Sequence, residues 1–426
     1  MSEAAVEGQA RRDDRPPRRN AFLQVLQHRN YRLYAGGDAV SLIGNWVQKV
    51  AIGWLTWQLT ESGTWLGVVA FADLFPAIVL SPIGGVIADR GDPRRMSLIS
   101  QWFAMAQALV LFVLTWTSLI DIWGLVVLSL LRGSIAAINQ PARMSLMPNL
   151  IPPEDLASAI AFNSVMANMA RFVGPAIAGV VIATGGVSGA FAINAASYLL
   201  LLYALWAIDT KEAAPPHHAR RAMWTQIAAG YRYVYEHRGI GPLLLIYSAT
   251  TLLVRPVTEL LPGFADRIFD MGAQGLAWMT SAMGLGAMVG GATMVRRAST
   301  ERLVRAAVTS LAGLSISIVA FALVPSFWAA LALLFAYGFT NTGSSIGTQS
   351  LTQASVDDAF RGRVMSLYGV IFRGGPAIGA LIIGTLADRF GLQWPVAIAA
   401  ALCLLVSAWA MSRRRALVRH LTKPAA

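Results

Sequence analysis

The feature that most constrains this chain is a short charged turn between two apolar runs, each long enough to cross a bilayer. The turn is Gly85-Val86-Ile87-Ala88-Asp89-Arg90-Gly91-Asp92-Pro93-Arg94-Arg95, and the runs beside it are Ala51 to Ile87 and Met96 to Ile120. A spanning helix needs about 20 mostly apolar residues, because the hydrocarbon core offers no partners to backbone N–H and C=O groups. Hydrophobic residues make up 56% of the chain and charged residues only 13%, so the charges must gather in a few places. These constraints point to an all-α integral membrane protein.

Apolar runs punctuated by polar, Gly and Pro residues predict twelve transmembrane helices. They fall near 33–58, 64–87, 96–119, 122–141, 159–184, 187–208, 241–263, 273–295, 303–325, 327–348, 364–387 and 391–411. The seventh is interrupted by Arg255, Pro256 and Glu259, and the tenth is rich in Gly, Ser and Thr. With the N-terminus inside, 27 of the 34 Lys and Arg lie in cytoplasmic segments, and only Arg267 and Arg389 lie in external loops. The positive-inside rule therefore predicts that both termini are cytoplasmic, in a multi-pass protein of the cell inner membrane.

The expected organisation is a disordered basic tail over 1–30, a six-helix bundle over 31–208, a linker over 209–240, a second six-helix bundle over 241–411 and a basic tail over 412–426. The first tail lacks the apolar core of a signal peptide. The linker includes an amphipathic stretch from Trp224 to His237. Arg171-Phe172-Val173-Gly174-Pro175-Ala176-Ile177 is echoed by Phe372-Arg373-Gly374-Gly375-Pro376-Ala377-Ile378. Such an echo suggests duplication, hence two pseudo-symmetric bundles that rock about a central site.

Several function classes are disfavoured. The three Lys are preceded by Gln48, Thr210 and Thr422, so the Gly-Lys of an ATP-binding P-loop is missing. A single Cys403 excludes disulfides, and the five His fall in polar segments, so no metal or other cofactor is expected. No nucleophile–base arrangement suggests an enzyme. Basic residues at helix ends point to lipid headgroups as partners, not nucleic acid.

Charged residues inside spans face the protein interior and are candidates for function. Asp38, Lys49, Asp73, Arg132, Arg171, Arg255, Glu259 and Arg373 qualify. Asp38, Ser41, Asn45, Gln48 and Lys49 share one face of the first helix, either to line a cavity or to bond neighbouring helices. Lys49 and Asp73 lie about twelve residues down opposite arms of the first hairpin, at matched depth, and are expected to form an intramembrane ion pair. Thr251, Arg255, Thr258 and Glu259 form a second stripe. The remaining cavity candidates are Asn168, Arg171, Asn341, Ser345, Gln349 and Arg373, and the cationic excess favours a cargo with anionic character.

The turn Gly85-x-x-Ala88-Asp89-Arg90-x-x-x-Arg94-Arg95 resembles the signature of the major facilitator superfamily, with Asp92 in place of the usual second Gly. Arg132-Gly133 and Gly174-Pro175-x-x-Ala178-Gly179 are similar to its fourth-helix basic site and its fifth-helix antiporter motif. Asn30-Tyr31-Arg32-Leu33, Asn139-Gln140-Pro141-Ala142-Arg143, Asn194-Ala195-Ala196-Ser197 and Arg361-Gly362-Arg363-Val364-Met365-Ser366 resemble the enterobactin-exporter-like and drug:proton antiporter branch.

The resemblance implies a secondary active transporter, acting as a monomer by alternating access. It would export an amphipathic small molecule (a drug-like compound, a siderophore or another secondary metabolite) in exchange for protons. It also implies that Arg132 meets the first-helix acid Asp38, which makes Asp38 and Arg132, with Glu259 as rival, the proton-coupling candidates. Gly85, Asp89, Arg90, Arg94 and Arg95 would form a gating loop, with Asp89 latching helix eleven. An importer, a facilitator or a lysolipid flippase shares the same fold, and a membrane enzyme or scaffold is the distant alternative.

Overall fold

The computed structural model describes residues 24–209, 232–237, 239–294 and 300–422. The basic N-terminal tail, most of the linker including Trp224, and Arg296-Arg297 lie outside the described residues, as do the side chains of Asp89 and Arg90.

No strand occurs among the described residues. Helix α1 runs over Arg29–Thr60, and α2 (Gly63–Leu74) continues into α3 (Pro76–Arg90) through Phe75, whose backbone stays helical. Next come α4 (Pro93–Trp116) and α5 (Ile122–Leu146). Asp92 explains its own departure from the family pattern. Its carboxylate accepts the Arg94 N–H at 2.9 Å and caps α4, satisfying one of the orphan donors at a helix start. The fifth and sixth expected spans are the two arms of α6 (Leu156–Ala207), separated by a kink at Gly186, where φ is +70° and ψ 178°, a non-helical conformation that favours glycine.

The second half opens with α7 (Ile240–Ala249) and α8 (Val257–Gly263), each followed by a widened π turn, over Thr250–Val254 and Phe264–Ile268. Pro256 and Pro262 disturb the hydrogen-bond ladder here without ending the span. Helices α9 (Gly272–Met294), α10 (Thr300–Leu323), α11 (Phe327–Ser355), α12 (Asp358–Phe390) and α13 (Gln393–Ser412) follow. The C-terminal tail, expected only to be basic, forms α14 (Arg414–Thr422), which tucks Leu417 and Leu421 against the bundle.

Among the described residues, eight stretches are both long and apolar enough to cross a bilayer, including Gly63–Ala88, Pro153–Ala207 and Ile240–Ile268. Helices α1, α9 and α11 have 32, 23 and 29 residues and are equally long enough, but richer in polar residues or Gly. Trp102, Trp116, Trp123, Trp206 and Trp394 are exposed, as expected of a surface that faces lipid.

The helices up to Ala207 pack mainly on one another, as do those from Ile240 onward, and the two halves meet along α2/α12 and α6/α9. The hydrogen bonds between halves cluster from mid-depth toward the end that carries Glu61. There Trp57 Nε1 donates to Asp266 at 2.9 Å, Arg267 donates to the Glu61 carbonyl at 3.2 Å, and Asp388 accepts from the start of α2.

Candidate functional site

At mid-depth a cavity of about 360 Å³ lies between the halves. Its charged lining is Lys49, Arg171, Arg255, Glu259 and Arg373, with Trp46, Tyr337, Asn341 and Phe372 among the other walls. Four cations thus surround one carboxylate. Lys49 Nζ donates to Glu259 at 3.0 Å, an ion pair that joins α1 of one half to α8 of the other. The guanidinium of Arg171 lies 5.4 Å from the Trp46 ring centre, and that of Arg255 lies 4.4 Å from Phe372. Cation–π contact stabilises both without neutralising them. Arg171 Nε, Arg255 Nη1, Tyr337 Oη and Asn341 Oδ1 are buried without a hydrogen-bond partner. Unmet polar atoms on a cavity wall mark where a ligand would bond.

The expected Lys49–Asp73 pair does not form. Arg132 of α5 holds Asp73 instead, while Lys49 reaches across to Glu259. Depth was a sound guide, since all four charges line one small void of about 30 Å³. Lateral packing decides the pairing. A Cβ at Gly133 would collide with the Asp73 carbonyl, so α5 presses directly on α2 and puts Arg132 beside Asp73.

The expected Asp38–Arg132 contact is also replaced. Arg143 Nη2 donates to Asp38 at 2.7 Å and Arg143 Nε to Tyr34 Oη at 3.2 Å. Helices α1 and α5 run antiparallel, so Asp38, near the start of α1, comes level with the end of α5. Asp38 is buried in the first half, off the cavity lining.

Of the first-helix stripe, Lys49 alone lines the cavity. Asn45 Nδ2 donates to the Ser41 carbonyl at 2.8 Å, and Tyr198 Oη donates to Asn45 at 2.9 Å. Gln48 donates to Gln107 at 3.0 Å and accepts from Asn194. These side chains stitch α1 to α4 and α6, the bonding role that the sequence left open. Asn168, Ser345 and Gln349 also lie off the cavity lining. Asn168 donates to the Ser164 carbonyl, and Gln349 is exposed. Conversely, Tyr337 and Phe372 line the cavity and were not singled out as site residues. Their available signals were a phenol inside an apolar run and adjacency to Arg373.

The motif glycines are sites of close approach. Gly174 packs on Trp46 of α1, Gly179 on Ala277 of α9, and Pro175 is buried between them. Arg94 donates to the Leu205 and Trp206 carbonyls at 2.6 and 2.7 Å, closing the end of α6, and Arg95 lies 3.7 Å from Asp92. Gly85 falls within α3, and the contacts of the Asp89 and Arg90 side chains lie outside the description.

A helical membrane protein with a charged cavity between two halves has the construction of a solute transporter. The chain matches the transmembrane secretion effector family over residues 23–421 and belongs to it, as a major facilitator superfamily transporter and not an enzyme. It is 25% identical over 354 residues to the staphyloferrin A transporter of Staphylococcus aureus, covering 82% of this chain and 87% of that protein. It is 26% identical over 346 residues to the enterobactin exporter EntS of Escherichia coli O1:K1, covering 81% and 80%. The fold is similar to that of a bacterial homologue of the human lysosomal transporter Spinster in an inward-facing, unoccupied conformation. That likeness has a TM-score of 0.72 at 13% identity and covers 96% of this chain and all of the other.

Proposed function

We propose that this transporter exports an anionic, amphipathic small molecule of siderophore type by alternating access with proton antiport. The charge imbalance of the cavity carries the reading. Lys49, Arg171, Arg255 and Arg373 face Glu259 alone, and buried cations are costly unless an anion balances them. Trp46 and Phe372 add flat apolar walls on which an aromatic ring can stack. The cargoes that name the two relatives fit this chemistry. The protein acts as a monomer of twelve spans in the inner membrane, with both termini in the cytoplasm. The sealed Glu61 end is then external, and the conformation described is inward-open.

Antiport requires that proton and cargo exclude each other. A proton on Glu259 would release Lys49 and favour an anion, so Glu259 is the wrong place for that exclusion. Asp38 suits the role better. Its bond to Arg143 ties α1 to α5 away from the cavity, so protonation acts through helix position instead of through cargo contact.

Binding to purified protein in lipid nanodiscs tests the cargo class, using a catecholate, a hydroxycarboxylate and a cationic amphipath of similar size. The two anions are expected to bind, and the double substitution Arg171→Gln with Arg255→Gln is expected to weaken them at least about tenfold. Tighter binding of the cation, unaffected by the substitutions, would overturn the reading.

A further inference from the structure

The gating motif has a counterpart at the opposite end of the molecule. Gly-x-x-Ala-Asp-Arg occurs at Gly85–Arg90, the end of α3, and again at Gly384–Arg389, the end of α12. The α2–α3 rod and α12 run antiparallel and belong to different halves, so the two copies lie at opposite ends of one helix pair.

At the Glu61 end the second copy is engaged. The Asp388 carboxylate accepts the Ser62 hydroxyl at 2.6 Å, the Gly63 N–H at 2.6 Å and the Thr64 N–H at 3.0 Å. A negative charge there meets the unpaired N–H groups and the positive dipole end of α2. The helices touch backbone to backbone beside it: a Cβ at Gly63 or Gly67 would strike the carbonyls of Gly384 or Ala380.

The other end carries matching small residues that no described residue packs against. Gly85 lies 18 residues, or five helical turns, after Gly67, and Gly362 lies 18 residues before Ala380. Each therefore continues the face used at the Glu61 end, toward the far end of the pair. A Cβ at Gly85, Gly362 or Gly369 would meet nothing within 4 Å among the described residues. Between the two ends, Gly374 still meets Ile78, at 3.0 Å. The helices thus diverge from the sealed end, leaving a second close-approach surface unused.

We propose that Asp388 is a gate residue: its cap on α2 locks the Glu61 end shut, and the lock exchanges with closure at Gly85 and Gly362 when the halves rock. The inference rests on the alternating-access reading. Asp388 holds the state described here, and the Gly85 face is reserved for the other state.

The test measures spin-label distances between Thr117 and Ser326, one at the Glu61 end of each half, in full-length protein carrying Cys403→Ser. Two distance populations are expected in the parent protein. Asp388→Asn should raise the ratio of long to short distances about tenfold, as loss of charge-assisted bonds implies. Gly85→Leu, which meets open space in the state described, should lower that ratio by obstructing closure at the other end. Equal ratios in all three proteins, or shifts of the same sign in both variants, would overturn the lock while leaving alternating access intact. A single distance that neither variant changes would contradict alternating access as well.

Discussion

At the scale of residues, the mid-depth charges form two pairs with different duties. Arg132–Asp73 lies within one half, beneath the void it shares with Lys49 and Glu259, and neutralises both groups locally. Breaking a buried pair from one side strands the other charge and costs about 3–5 kcal/mol. Arg132→Gln is therefore expected to lower thermal stability strongly, and adding Asp73→Asn should recover part of the loss. Strictly additive losses in a melting series would exclude the pair. Lys49–Glu259 differs because its partners move apart if the halves rock. Glu259→Gln should leave anionic cargo bound at least as tightly as in the parent protein, a point that binding in nanodiscs can check. Which residues carry charge, and at what depth, was legible in the sequence. The pairing was not, because depth along a helix follows from counting residues, whereas azimuth and neighbour choice follow from backbone approaches such as Gly133 on Asp73.

At the scale of elements, apolar length and punctuation placed the helices well, since both are local properties of the chain. Gly186, where φ +70° and ψ 178° are non-helical, breaks the helix between the expected spans 159–184 and 187–208. One departure has a local cause too. Arg143 sat at the margin of an expected loop but lies within α5, which extends beyond the expected boundary at 141 and brings the guanidinium to Asp38. The polar stripe on α1 was visible as a stripe, but helical periodicity cannot tell a cavity wall from a helix–helix seam. Ser41, Asn45 and Gln48 belong to the seam. Gly179 marks a seam of another kind, where α6 meets α9 across the halves. Gly179→Leu is expected to force these helices apart and abolish transport while each half stays helical. Circular dichroism and vesicle uptake check the two parts of that expectation separately, and unimpaired uptake would contradict it.

At the scale of the whole molecule, the halves are pressed together at one end and diverge toward the other, with the cationic cavity at the hinge between them. The functional reading depends on which end faces the cytoplasm. A reporter fused after Arg221 is expected to read cytoplasmic and one near Asp270 external, following the distribution of Lys and Arg. Reversed signals would turn the described state outward and remove the argument for export. The central claim, export of an anion in exchange for protons, is tested most directly by uptake of a catecholate into everted membrane vesicles under an imposed pH gradient, interior acidic. Accumulation is predicted for the parent protein and for Glu259→Gln, and its loss for Asp38→Asn, which should still bind the catecholate. Equal accumulation by Asp38→Asn, or by the parent protein with no gradient and no membrane potential, would contradict the account.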